Sequence, residues 1–198
     1  MMLGDFDLRR VATCPVSRWL EAVESVPDGS WGEMEYRQNR RTRRGQPGVH
    51  TDTSTLPVLW AMPPEFNRIR AADEVPQHHG DLFTRPLDDL RVVFEQVYGP
   101  GWMLRCIVVR LPAGGRIPIH RDNGGSFEVS HRCHIPIVTN PAVAFQVGAT
   151  AVHMSIGEVW EINNFRRHRV TNSGQADRLH VIADWHPETG DPLAYASK

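Results

Sequence analysis

Between Trp102 and Trp185 the chain reads WMLRCIVVRL (102–111), RIPIHRD (116–122), RCHIPIV (132–138), AVAFQV (142–147), AVHMSI (151–156), EVWEIN (158–163), HRVTN (168–172) and RLHVIADW (178–185). The runs are short and mostly apolar, and turn residues such as Gly114-Gly115, Asn123-Gly124-Gly125, Asn140-Pro141 and Ser173-Gly174 separate them. Runs of this kind are strands, and about eight in such close succession argue for a sandwich or jelly roll. The expected fold is mainly β. It is a double-stranded β-helix over about residues 101–190, with a few helices from the N-terminal half packed outside it.

Outward from that stretch, residues 1–100 are mixed. Ser17 is placed to cap a helix to about Val26, with Leu20 and Val23 inward and Pro27-Asp28-Gly29 ending it. A second helix follows Thr84: Pro86 suits the first turn, Leu87, Leu90, Phe94 and Val97 recur at helical spacing, and Gly99-Pro100 stops it. Between them RQNRRTRR (37–44), followed by Gly45, Pro47 and Gly48, is a polar loop. No domain boundary is visible, so the 198 residues are expected to form one domain.

Composition narrows the function classes. With 40% apolar and 23% charged residues, the chain is not a disordered one. Lys+Arg 22 against Asp+Glu 23 gives a net charge of -1, which speaks against a nucleic-acid partner. No apolar run is long enough to span a bilayer, and MMLGDFDLRR lacks the apolar centre of a signal peptide, so a cytoplasmic location without a membrane partner is expected. Cys14, Cys106 and Cys133 form no CxxC pair and make neither a disulfide framework nor a zinc knuckle. The only Lys is Lys198, and all other basic residues are Arg, whose planar fork suits carboxylates.

If RIPIHRD is a strand, Ile117, Ile119 and Arg121 share one face while Pro118, His120 and Asp122 share the other. His120 and Asp122 then point together and offer two ligands to a divalent metal. A His-x-Asp alone also fits a solvated pair. The third ligand is His168, at the start of HRVTN. In a jelly roll of eight strands, the second and seventh are expected in opposite sheets, so that the three residues meet across the barrel mouth. Two histidines and one carboxylate on one face of a metal are the ligand set of non-haem Fe(II) oxygenases.

Alternation gives the barrel further polar groups. Leu179, Val181, Ala183 and Trp185 form the core-facing row of their strand, so Arg178 points the other way, into the barrel; Arg132 and His134 share a face of theirs. Arginines buried unpaired are costly. Either a dicarboxylate gripped by the Arg fork or an internal acid such as Glu128, Asp177 or Asp184 resolves that cost.

The stretch from Leu111 to about Thr189 resembles the aspartyl/asparaginyl β-hydroxylase family of Fe(II)/2-oxoglutarate-dependent oxygenases. The likeness rests on PAGGRIPIH (112–120), RCHI (132–135), GEVWEINNFRRH (157–168) and the closing DWHPET (184–189). It implies a cupin-like jelly roll with iron on His120, Asp122 and His168. It further implies 2-oxoglutarate on Arg132, His134 and Arg178, and O2 as the oxidant. The expected reaction is hydroxylation of a C–H bond in an amino acid, amino-acid derivative or peptidyl residue, with succinate and CO2 as co-products. Two departures stand out. The animal endoplasmic-reticulum members carry glycine where this chain has Asp122, and a serine that helps them hold the cosubstrate falls at Val109. The missing signal peptide and short length also set the chain apart from the membrane-anchored members.

Two other readings compete: a cupin-type metal dioxygenase or isomerase without 2-oxoglutarate, and a non-enzymatic jelly-roll binding module. The Arg37–Arg44 loop is either a solvated charged segment or a lid that pairs with an acidic group of the substrate. His50, with Thr51, Thr53 and Thr55, is placed to line the mouth. His180 shares a face with Arg178, as a group behind the site or a satisfied core histidine. His78-His79 reads as solvated, the six tryptophans as packing, and Cys106 and Cys133 as small core residues.

Overall fold

The computed structural model describes residues 5–32, 50, 52–60, 71–122 and 125–188. Among the described residues, ten strands form two antiparallel sheets. They are β1 (Leu8–Thr13), β2 (Ser54–Leu59), β3 (Gly101–Leu111), β4 (Arg116–His120), β5 (His131–Val138), β6 (Val143–Val147), β7 (Thr150–Val152), β8 (Glu158–Ile162), β9 (His168–Asn172) and β10 (Arg178–Pro187). The larger sheet runs β1-β8-β5-β10-β3-β2 and the smaller β4-β9-β6-β7. All eight runs of the C-terminal half are strands, in the jelly roll expected. The run from Ala151 is cut short, pairing only through Val152.

β1 and β2 escaped the sequence reading. Each extends the larger sheet at one edge, β1 on β8 and β2 on β3. Their burial patterns lack clean alternation, and β2 is buried at four consecutive residues, Thr55 to Val58. Periodicity cannot separate such a run from a buried helical segment. Gly157 anchors the chain after β1. Its carbonyl accepts from the Cys14 N–H, its own N–H donates to Pro136, and a Cβ there would sit 3.0 Å from the Cys14 oxygen at φ +78°.

Among the described residues, two α-helices cover the outer face of the larger sheet. α1 (Ser17–Glu24) buries Trp19, Ala22 and Val23, and α2 (Thr84–Tyr98) buries Pro86, Leu87, Leu90 and Phe94. Ser17 is not the cap expected of it. The cap position belongs to Val16, and no side chain bonds there. Trp19, Phe83, Leu90 and Phe94 meet Cys133, Val181, Ala183 and Trp185 in one core layer, so these strand residues face away from the barrel. A second layer, with Leu111, Ile117, Phe145, Val147 and Val170, lies between the sheets. Burying side chains such as Leu90 or Phe94 stabilises by about 1.5–3 kcal/mol each. β10 thus has its apolar row on the helices and Arg178, His180, Ile182 and Asp184 toward the barrel interior.

Two expectations about the site strands are corrected. β4 and β9 are not in opposite sheets; they are hydrogen-bonded neighbours in the smaller one, and His120 is the register partner of His168. Nor does β4 alternate cleanly. The register shifts between Ile117 and His120, and Ile117 lines the cavity with His120 while Ile119 is 51% exposed. A bulge of this kind re-aims side chains. Asp122 lies beyond the strand, tied by its N–H to the Asn164 carbonyl.

Candidate metal centre and active site

The neighbouring strands β4 and β9 bring His120, Asp122 and His168 together, with one potential ligand atom from each lying within 4.8 Å of the others. Asp122 Oδ1 is 3.8 Å from His120 Nε2, and its Oδ2 is 3.7 Å from His168 Nε2. The three are too far apart to bond one another and close enough to share one ion. Both rings are oriented from behind. His120 Nδ1 lies 2.8 Å from the Pro118 carbonyl and His168 Nδ1 lies 3.0 Å from that of Arg166. A carbonyl only accepts, so each Nδ1 carries the proton and each Nε2 keeps its lone pair for a metal.

Electrostatics favour the same state. Burial pushes the His168 pKa down to about 4, against the pull of Asp122, so its imidazole is neutral at physiological pH. Burial by itself would raise Asp122; Arg132, His168 and His120 outweigh it and hold the carboxyl below its usual range. Two imidazoles and one carboxylate suit a divalent first-row ion such as Fe(II).

A cavity of about 210 Å³ opens at this triad and runs into the barrel. Arg178 lines it, fully buried, and none of its three guanidinium nitrogens has a hydrogen-bond partner. Burial lowers its pKa to about 9, so it remains cationic. His134 lines the same cavity with neither ring nitrogen bonded. A buried cation with three unmet donor nitrogens calls for an anion. A carboxylate fits this guanidinium.

Arg132 differs from Arg178. Its Nη1 donates to both oxygens of Asp184, at 2.8 and 2.9 Å, and its Nε is 3.1 Å from Asp122 Oδ2. Of the two resolutions open to a buried arginine, Arg132 adopts the internal acid. It holds the carboxylate of the triad from behind.

Other groups complete the wall. Arg105 sits between the rings of Trp60 and Phe127, 4.7 and 4.5 Å from their centroids, with its Nε 3.4 Å from Asp184. The sequence reading passed over it, although alternation along β3 places it on the face of Ile107 and Val109, where a charge is conspicuous. His50 lines the cavity with its ring edge-on to His120 at 5.3 Å, and burial lowers its pKa to about 4. Thr51 and the Arg37–Arg44 loop lie outside the described residues. His78 is not simply solvated, because its Nε2 is 3.0 Å from the Trp60 carbonyl. Cys106 and Cys133 are buried core residues, as expected.

Residues 95–187, just under half of the chain, match the family model described as aspartyl/asparaginyl beta-hydroxylase. Among solved structures, a 2OG-Fe(II) oxygenase family oxidoreductase from Burkholderia pseudomallei is 13% identical with a TM-score of 0.62, covering 88% of this chain and 79% of that one. At that identity the likeness is one of fold. A Pseudomonas putida prolyl-4-hydroxylase is 12% identical at TM-score 0.49 over 92% of each chain. A cupin domain from Bordetella pertussis is 18% identical at TM-score 0.33, over 41% of this chain and 79% of that one. No curated protein matches. Among the described residues no helix is long and apolar enough to cross a membrane. Over residues 95–187, which carry the barrel, the triad and Arg178, the resemblance is to the aspartyl/asparaginyl beta-hydroxylase family.

Proposed function

We propose that this protein is an Fe(II)- and 2-oxoglutarate-dependent hydroxylase acting on a C–H bond of an amino acid, amino-acid derivative or peptidyl residue. The observation that carries this reading is the pairing, in one cavity, of the His120–Asp122–His168 triad with the fully buried, unbonded guanidinium of Arg178. When bound, iron with the 2-oxoacid supplies the oxidising power, using O2 and releasing succinate and CO2.

The chain's own residues have distinct tasks. His120, Asp122 and His168 would hold the metal. Arg178 grips the distal carboxylate of 2-oxoglutarate and His134 assists it. Arg132 contributes from behind, fixing Asp122 through its Nε while Asp184 satisfies its other arm. Ile117, Val170, Phe145 and Ile182 line the space between metal and anchor and keep it dry, which strengthens each charged contact there.

A cupin-type enzyme without 2-oxoglutarate leaves Arg178 without a role, and a binding module leaves the triad without one. The whole chain is read as one domain, with β1 and β2 integral to the larger sheet. A cytoplasmic setting fits its three buried, unbridged cysteines. The test is direct. Purified protein should hold about one iron per chain, release succinate from 2-oxoglutarate, and add one oxygen mass to a member of an amino-acid and peptide panel. Protein that binds iron yet neither binds nor decarboxylates 2-oxoglutarate would overturn the reading.

A further inference from the structure

We propose that His180 is a third donor to the distal carboxylate of the cosubstrate, completing with Arg178 and His134 a three-sided anchor inside the barrel. The inference rests on the function proposed above and goes beyond it in assigning a residue that neither the family likeness nor the triad accounts for.

The starting observation is a cluster of unmet polar atoms. His180 is 1% exposed, and neither of its ring nitrogens has a hydrogen-bond partner. The same holds for both nitrogens of His134 and all three of Arg178. Buried polar groups are almost always satisfied, so three such side chains together mark a place where a polar group belongs. His180 follows Arg178 by two residues on β10, so both project from the same face of the strand. Its ring centroid is 6.1 Å from that of His134. The two rings are too far apart to satisfy each other, and a small polar group between them serves both.

The neighbouring strands do not supply the missing partner. The register partners of His180 are Val109 on β3 and Pro136 on β5. Neither side chain has a polar atom. Phe145 packs edge-on against His134, and His153, whose charge would be felt at His180, sets its own Nδ1 3.2 Å from the Val143 carbonyl and makes no bond to His180. Whatever satisfies His180 comes from outside the protein.

A carboxylate has the right capacity. Ionised, it offers about four lone-pair sites, of which a bidentate Arg fork takes two. Two sites remain, one for each imidazole. Burial, with Arg178 and Arg132 adding to it at His134, keeps both imidazoles neutral. A neutral imidazole has one N–H to donate. One carboxylate, one guanidinium and two imidazoles therefore match in number and charge.

The experiment uses the full chain loaded with Zn(II), a diamagnetic and redox-silent stand-in for iron. Calorimetry measures binding of 2-oxoglutarate and of 2-oxopentanoate, which has the same 2-oxoacid end and no distal carboxylate. His180→Phe should weaken 2-oxoglutarate about 10- to 100-fold, the effect of one lost hydrogen bond to a charged group. It should leave 2-oxopentanoate binding and zinc content unchanged. His180→Gln, which keeps an N–H donor, should recover part of the loss. In wild-type protein, NMR should show a slowly exchanging His180 imidazole N–H that appears with 2-oxoglutarate and not with 2-oxopentanoate. Equal weakening of both ligands, unchanged 2-oxoglutarate binding in His180→Phe, or no new imidazole resonance would overturn the assignment while sparing the proposed function. Wild-type protein that binds no 2-oxoglutarate would overturn both.

Discussion

His120 and His168 face each other as register partners across a single antiparallel ladder, the last residue of β4 against the first of β9. Their rings lie 4.2 Å apart between centroids, and each is held through Nδ1 by the carbonyl two residues before it. Two members of the triad are therefore set by one strand pairing. The third, Asp122, is added by the turn that follows β4.

Replacing either histidine by Ala should strip most of the iron and abolish succinate release. Two ligands do not hold a labile divalent ion as three do. Metal analysis after desalting is the measurement; wild-type iron content in His168→Ala would remove that residue from the site.

In the proposed iron site Asp122 would fill the coordination position that an iron halogenase leaves open for halide. Hydroxylated product is expected with chloride present, and mass spectrometry should find no chlorinated species. A chlorinated product from the wild-type protein would contradict the assignment of Asp122 as a ligand.

Arg178→Ala should raise the 2-oxoglutarate requirement by orders of magnitude and leave iron affinity nearly intact. Removing one partner of a buried charge pair costs about 3–5 kcal/mol. Lys at this position should rescue poorly, because a point charge does not reproduce the bidentate fork. Comparable loss of iron and 2-oxoglutarate would show that Arg178 is structural instead.

Asp184 is fully buried between Arg132 and Arg105, so Asp184→Asn leaves two guanidiniums with one partner fewer. A loss of about 3–5 kcal/mol in unfolding free energy is expected. Chemical denaturation measures it, and a loss below about 1 kcal/mol, the range of a surface pair, would mean the arginines find other partners.

Glu161 ties β1 to the larger sheet, accepting from Arg9 at 2.7 Å and meeting His131 Nδ1 at 2.7 Å. Burial by itself would raise its pKa; His131 and Arg9 prevail and hold it below its ordinary 4.5. A carboxyl with a folded-state pKa below its unfolded one stabilises fully above the unfolded value. That contribution fades as pH falls through the folded one. Wild-type protein should therefore lose its stability margin over Glu161→Gln as pH drops below 4.5. Denaturation midpoints of the two proteins at pH 7, pH 5 and pH 3 measure this, and a margin independent of pH would place the stabilisation elsewhere.

The eight C-terminal strands were legible because each is a short, mostly apolar run bounded by turn residues, a local property of the chain. The inward direction of Arg178 followed from the same alternation, since Val181, Ala183 and Trp185 claim the opposite face for the helices. The fate of Arg132 was not legible. Whether its fork meets Asp184 or a ligand depends on the pairing of β5 with β10, which sets Arg132 opposite Asp184. β1, β2 and Arg105 were missed for a related reason: their places come from sheet edges and ring contacts supplied by residues far along the chain.

By itself the sequence determined the eight C-terminal strands, the two helices and the residue types of the proposed metal and anion site. It did so because alternation, turn chemistry and helical spacing act within a few neighbouring residues. Only the tertiary structure decided that β4 and β9 are neighbours, that a bulge turns Ile117 and His120 to the same cavity, and that Arg132 is satisfied while Arg178, His134 and His180 are not. Those outcomes depend on cross-strand register and on the balance of buried charges. Both are set by contacts between segments distant in sequence.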